Sequence, residues 1–221
     1  MKILWLSHLV PYPPKGGVLQ RSYHLLNQLT RHHEVDLLAL NQRSLLAPLF
    51  PSFEEGTELA QEILGDICRQ LRFHPVAVDE ARFGKYLCAL SSLVRPAPYT
   101  INWLQSAAFA KSVEEYTRTT QYDIIHFDTI SLTPYLDNIV QQPKALVLDH
   151  HNIESHMLLR RAEKEANPIK KLYYYQEGRR LEAYERKHCP RYDLHITCSE
   201  LDSKRLGSIA GKAKLLDTIF F

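Results

Sequence analysis

Polar and ionisable residues recur directly after the apolar runs of this sequence. Ser7 and His8 follow the first run, and His126 and Asp128 close a later one. His150, His151, Asn152 and Glu154 follow another, and Ser199 with Glu200 the last. Imidazoles, carboxylates and amides so placed can hydrogen-bond hydroxyl groups and hold or move protons. Gly16 and Gly17 add a different chemistry. Their backbone can approach a ligand closely, and a helix beginning there turns its free N–H groups towards an anion such as phosphate. Arg21, one helical turn on, is the matching positive partner. The alternative for the glycine pair is a plain turn, and His126, inside an apolar strand, reads equally as a hydrogen-bonded core histidine. His150, His151 and His156 with Glu154 form no HExxH pattern. Adjacent histidines at a strand end point to opposite faces, so no metal site is expected. His151 and Asn152 are instead expected to direct polar groups into a cleft.

The elements that must position these residues alternate. Ile3 to Leu6 reads as a buried strand, the proline-rich stretch Leu9 to Gly17 as a loop, and the residues from Val18 as an amphipathic helix. Val35 to Leu40 gives a second strand and completes a βαβ unit. Helices are expected over Glu54 to Leu71 and Arg82 to Val94, with a short strand at Pro75 to Val78. Beyond the Arg95–Pro98 loop the pattern predicts a helix from Ser106 to Thr119, a strand at Asp123 to Phe127 and a short helix at Leu132 to Ile139. A strand at Ala145 to Asp149 comes next. A helical tract from Ile153 to Cys189 is broken at Asn167-Pro168, where proline suits a first turn. A strand at Leu194 to Cys198, a helix at Glu200 to Ile209 and a strand-like ending at Ala213 to Phe221 complete the chain. This rhythm predicts an α/β fold, a doubly wound and mostly parallel sheet. In such sheets ligands bind beyond the carboxyl ends of the strands, where the four polar clusters fall.

Composition narrows the function classes. With 45% hydrophobic and 24% charged residues the chain is globular in character, and no apolar run nears the ~20 residues of a membrane span. The net charge of +2 argues against nucleic acid as a partner. Four scattered cysteines without a CxxC pair exclude a zinc ribbon and a thioredoxin-like site, and read as reduced thiols. No signal peptide is recognisable, so a cytoplasmic location is expected. Dinucleotide, P-loop and α/β-hydrolase motifs are all missing. The Ile153 to Arg191 tract holds ten basic and six acidic residues, an excess of four positive charges. It reads either as a face touching anionic lipid or phosphate, or as a solvated helix laced with Glu–Arg pairs.

These motifs, in this order, resemble a known family. Lys2-Ile3-Leu4-Trp5-Leu6-Ser7, the proline-rich loop ending in Gly16-Gly17, and the following helix look like the start of a family-four glycosyltransferase of GT-B architecture. Tyr122-Asp123-Ile124-Ile125-His126-Phe127-Asp128 is similar to its "fDvvH" strand. Asp149-His150-His151-Asn152-Ile153-Glu154-Ser155 with Arg160-Arg161-Ala162 resembles a segment of a bacterial subgroup linked to exopolysaccharide and surface-sugar assembly. The resemblance implies a Rossmann-like N-terminal, acceptor-side domain over residues 1–221, without the donor-binding domain. It implies a retaining transfer of a hexose from a nucleotide sugar to a glycan or lipid-linked acceptor, with no other cofactor. His126 becomes the catalytic candidate. Gly16, Gly17, Arg21, Asp128, His151, Asn152 and Glu154 become the acceptor-binding candidates. The family often places a second histidine where this chain has Asp128. The expected partners are the acceptor, a donor domain in cis or trans, and the inner face of a membrane. The other expectation is a non-catalytic binding module, or a truncated remnant that pairs with a separate donor domain. A domain lacking its companion should expose an apolar docking patch.

Overall fold

The computed structural model describes residues 1–210. In chain order the elements are β1 (Lys2–Ser7), α1 (Gly17–Thr30), β2 (Glu34–Asn41), α2 (Arg43–Leu46), α3 (Phe53–Gly65), β3 (Gln70–Pro75), α4 (Ala77–Glu80) and α5 (Gly84–Ser92). They continue with α6 (Tyr99–Asn102), α7 (Ala107–Thr119), β4 (Ile124–Asp128), β5 (Ala145–His150), α8 (Glu154–Lys164), α9 (Pro168–His188), β6 (Leu194–Thr197) and α10 (Glu200–Ala210). A 3-10 segment, Ile130–Asn138, joins β4 to the β5 approach.

The six strands form one all-parallel sheet in the order β3-β2-β1-β4-β5-β6. Helices cover both faces, so the expected doubly wound α/β, Rossmann-like architecture is observed. Alternation along the strands divides the core. Ile3, Trp5, Leu37 and Ala39 meet Leu26 of α1 and Ala60 and Leu64 of α3. Leu4, Leu6, Ile125, Phe127 and Leu148 meet Phe109 and Val113 of α7 and Leu206 of α10 on the other face. Strand order reverses between β1 and β4, which makes the carboxyl end of that pair the place where a ligand-binding crevice opens.

Local chemistry explains the helix boundaries. The Ser52 hydroxyl accepts from the Glu55 N–H at 3.1 Å to cap α3, and Ser106 caps α7 through the Phe109 N–H. At the break expected from Asn167-Pro168, the Asn167 side chain accepts from the Ile169 and Lys170 N–H groups, and Pro168 opens α9.

Residues 54–80 depart from expectation. The helix ends at Gly65 rather than Leu71, and the strand runs Gln70–Pro75 rather than Pro75–Val78. An edge strand hides few side chains, so β3 tolerates exposed Gln70 and Arg72 and ends at a proline, and its pattern carries little apolar signal. Val76 to Val78, expected within the strand, lead into the short helix α4 instead. The strand-like ending expected over Ala213–Phe221 lies outside the described residues. Among the described residues no helix is long and apolar enough to cross a membrane.

Candidate functional site

The site is built on the row of residues that ends β1, β4 and β5. Ser7 pairs in register with Asp128, and Phe127 pairs with Leu148, which brings Asp149 alongside Asp128. Ser7, Asp128 and Asp149 all face α1, and both carboxylates are fully buried. Two unsolvated negative charges on neighbouring strands require partners of their own.

Asp128 is a hub. The Ser7 hydroxyl donates to it at 3.0 Å, the Ser22 hydroxyl of α1 at 3.3 Å, and His151 Nε2 approaches to 2.6 Å. His8 Nδ1 lies 3.3 Å from the same carboxylate. Burial alone raises the Asp128 carboxyl. The His151 charge and hydrogen bond, joined by His8, outweigh that and hold it well below the usual carboxylate range. Burial likewise opposes the charged ring of His151, yet Asp128 raises its pKa above the ordinary value. His8 is anchored at both ends, because its carbonyl accepts from Gln42 Nε2 at 2.6 Å. With Nδ1 turned to Asp128, Nε2 is left to meet a ligand hydroxyl.

Asp149 is served by Arg21 of α1, whose Nη1 stands 2.6 Å away, with His126 Nε2 at 3.5 Å. Burial pushes this carboxyl up, and His126 and Arg21 together bring it below its normal range. Buried charge is not confined to this edge. Asp36, near the opposite end of the sheet, is held by Arg69 and Tyr122 as a structural pair.

The candidates from the sequence separate into three groups. Asp128, His151 and Arg21 come together as expected. Glu154 joins them from α8: the Thr129 hydroxyl donates to it, and burial raises its carboxyl. Thr129 itself has φ of 143°, a conformation that a β-branched residue adopts only when its surroundings impose it. Gly16 and Gly17 open α1 beside the cluster, where a cleft of about 600 Å³ is lined by Gly17, Gln20, Arg21, His24, Leu25, Gln28 and Cys198. Two residues stand apart. Asn152 is exposed and lines a different groove, with α8 and α10. His126 is 4% exposed and lies tilted against Trp5 with centroids 3.8 Å apart, two residue pairs beneath the rim. Its buried ring lies within 3.5 Å of Asp149, whereas His8 is the partly exposed imidazole of the cluster.

His8, Ser22, Thr129 and Asp149 complete the site without being singled out as site residues by sequence. His8 had a signal, its place after the first strand. Ser22 had none, since a serine on an amphipathic helix is ordinary until the sheet is placed beneath it.

Gly16 has φ of +82° and caps α1 without a side-chain bond, and a Cβ there meets nothing within 4 Å. Gly16→Ala is therefore a backbone effect alone and is expected to cost about 1–3 kcal/mol in urea unfolding. Gly17→Ala, at an ordinary helical position with equal space, should be neutral or slightly stabilising. Equal losses in the two variants would contradict this account.

The metal set considered from sequence does not assemble, because His150 turns to the face opposite His151. His150 Nε2 meets His195 Nδ1 at 3.1 Å, and His195 Nε2 reaches the Cys189 carbonyl at 3.1 Å. Burial drives both rings neutral, His150 to about 3 and His195 to about 4. Among the described residues two trios bring ligand-type atoms within 4.8 Å of one another: His150, Cys189 and His195, and His8, Asp128 and His151. In the second, both rings address the carboxylate itself, which is the geometry of a hydrogen-bonded hub.

No protein-family model matches the chain, and no curated protein matches it. Among solved structures it is similar to the N-terminal domain of Candida albicans trehalose-6-phosphate phosphatase, with 11% identity and a TM-score of 0.42. The likeness covers 96% of this chain and 43% of that one, so the chain spans under half of that neighbour's length. A likeness at this level bears on no function.

Proposed function

We propose that this chain is the acceptor-binding part of a retaining glycosyltransferase that moves a hexose from a nucleotide sugar to a glycan or lipid-linked acceptor. The single observation that supports the reading is the Asp128 hub, a buried carboxylate that locks two imidazoles and two hydroxyls at the sheet's switch point. Such a rim suits a polyhydroxylated ligand, whose hydroxyls need fixed donors and acceptors. His8 Nε2 accepts from the acceptor hydroxyl and holds it in place. In the transfer, the bond from the anomeric carbon to the leaving diphosphate breaks as the bond to the acceptor oxygen forms on the same face. As the bond forms, the acceptor proton turns from His8 Nε2 to the departing diphosphate oxygen, which carries it away. Orientation and stabilisation of the departing charge supply the rate. The donor nucleotide is assigned to a second domain, in cis or in trans.

The surface of α5 fits a lipid-linked acceptor. Phe83, Tyr86, Leu87, Leu90 and Val94 are exposed along it, Val94 by 88%. Arg82 and Arg95 flank the stripe, and no acidic residue occurs from Ala81 to Val94. An apolar stripe edged by cations suits the surface of an anionic bilayer. The arginines of α9, by contrast, are paired: Arg179 and Arg186 with Glu182, and Arg180 with Glu177.

The test is saturation-transfer NMR with a panel of mono- and disaccharides and of nucleotide sugars. Saccharide binding is expected in the wild type, weakened at least about tenfold in His8→Ala, whose partly exposed ring leaves the core intact. Saccharides that bind His8→Ala as well as wild type, or tight nucleotide-sugar binding by this chain alone, would overturn the assignment.

A further inference from the structure

A second groove, between α8 and α10, is independent of the Asp128 cluster and of the function proposed above. It encloses about 320 Å³, and its charged lining is His156, Arg160, Arg161 and Lys164 from α8 with Asp202 and Arg205 from α10. Asp202 is the one carboxylate in the lining. It is already engaged, accepting from Ser199 Oγ at 2.8 Å and from Arg205 at 3.2 Å. Among the described residues Arg160, Arg161 and Lys164 form no ion pair, Arg161 lying over the Tyr174 ring at 4.4 Å, whereas the arginines of neighbouring α9 are paired with carboxylates.

Ordinary helix chemistry accounts for part of this charge only. Cations in the last turn of α8 offset the helix dipole, which explains Arg161 and Lys164. It does not explain Arg160, nor Arg205, which arrives from another helix. Arg160 and Lys164 also stand four residues apart on one face, where like charges destabilise a helix. A face selected only for solubility would carry an acid in that row. Burial, then Arg205 and Arg160, hold the His156 pKa below its usual value, against the opposing pull of Asp202 and Glu163, in keeping with a net positive field inside the groove.

We propose that this groove binds a phosphate-bearing ligand, a phosphomonoester or diphosphate, gripped by Arg160, Arg161, Lys164 and Arg205. Guanidinium forks pair with phosphate oxygens in bidentate fashion, and a concave wall of one sign concentrates such an anion. The ligand's source is either a soluble phosphate or a lipid headgroup.

The experiment titrates inorganic pyrophosphate into the full chain by calorimetry, and in a second arm mixes the chain with vesicles of phosphatidylcholine with and without phosphatidylglycerol. Wild type is expected to bind pyrophosphate saturably, with affinity reduced at least about tenfold in Arg160→Gln/Lys164→Gln. Both positions are exposed, so thermal unfolding should be unchanged. Arg31→Gln/Lys111→Gln removes the same charge elsewhere and should bind as wild type does. Vesicle recruitment that pyrophosphate competes away identifies a lipid headgroup; pyrophosphate binding without recruitment identifies a soluble phosphate. Three results overturn the proposal: equal weakening in both double variants, recruitment insensitive to pyrophosphate and to Arg160→Gln/Lys164→Gln, or no saturable binding in either arm.

Discussion

Arg21→Met is expected to destabilise the protein by about 3–5 kcal/mol at neutral pH, the usual consequence of removing one member of a buried ion pair. Asp149 is fully buried and Arg21 Nη1 is 2.6 Å away, while the other oxygen of the carboxylate has no hydrogen-bond partner. Without the guanidinium, His126 at 3.5 Å and the His151 ring beyond it are left to face the charge. The folded pKa of Asp149 is depressed, so the pair's contribution is complete above the ordinary aspartate range and fades as pH falls through the folded value. The loss in Arg21→Met should therefore shrink on acidification, because a protonated Asp149 needs no counter-ion. Arg21→Met/Asp149→Leu, which removes both charges, should recover most of the stability. Urea unfolding across pH decides the matter. A loss below about 1 kcal/mol, or a double variant weaker than the single one, would show that the pair is not what balances the buried carboxylate.

The second large effect has the opposite sign. Glu185 of α9 is fully buried and accepts from the Ser155 backbone N–H at 3.1 Å and from the Ser155 hydroxyl. Burial pushes its carboxyl from 4.5 up to about 7, against the pull of those bonds. Between these values the folded chain holds a proton that the unfolded chain has released, so this group makes stability fall as pH rises across that window. The window spans about two and a half pH units, about 3 kcal/mol in all. Glu185→Gln keeps an acceptor for the Ser155 N–H and removes the titration. It should match wild type near pH 4 and exceed its stability by about 2–3 kcal/mol at pH 8. His151, whose folded pKa is raised, contributes stability that is present at low pH and lost through its own folded value. That contribution appears equally in both proteins and cancels in their difference. Parallel pH profiles for wild type and Glu185→Gln would refute the assignment.

The two effects locate different tasks in one molecule. Arg21 and Asp149 tie α1 to the sheet beside the candidate crevice, and Glu185 ties α9 to the start of α8. Strain at Thr129, a depressed Asp128 and a raised Glu154 all gather at the switch-point edge, as expected where a fold holds groups in unfavourable states for a purpose. Asp36, paired with Arg69 and Tyr122, is the counterexample that keeps buried charge by itself from being read as function.

What the amino-acid order determined alone is the alternation of strand and helix. Apolar runs such as Leu4-Trp5-Leu6 and Ile124-Ile125 must be buried on both faces, and only a covered parallel sheet does that. It also placed Asp128 and His151 at strand ends and Asn167-Pro168 at a helix start, because those signals are local. It missed the extent of β3, where an edge position relaxes the demand for apolar residues. Tertiary structure alone decided which polar groups share a charge. Ser22 and Asp128 are 106 residues apart, and Arg21 and Asp149 are 128 apart. Their meeting depends on the crossover that lays α1 against β1 and β2 with its first turns beside the ends of β4 and β5, and strand pairing order is not written in any short segment. The same holds for His126. Its spacing makes it a candidate, and the register against Trp5 carries it below the surface.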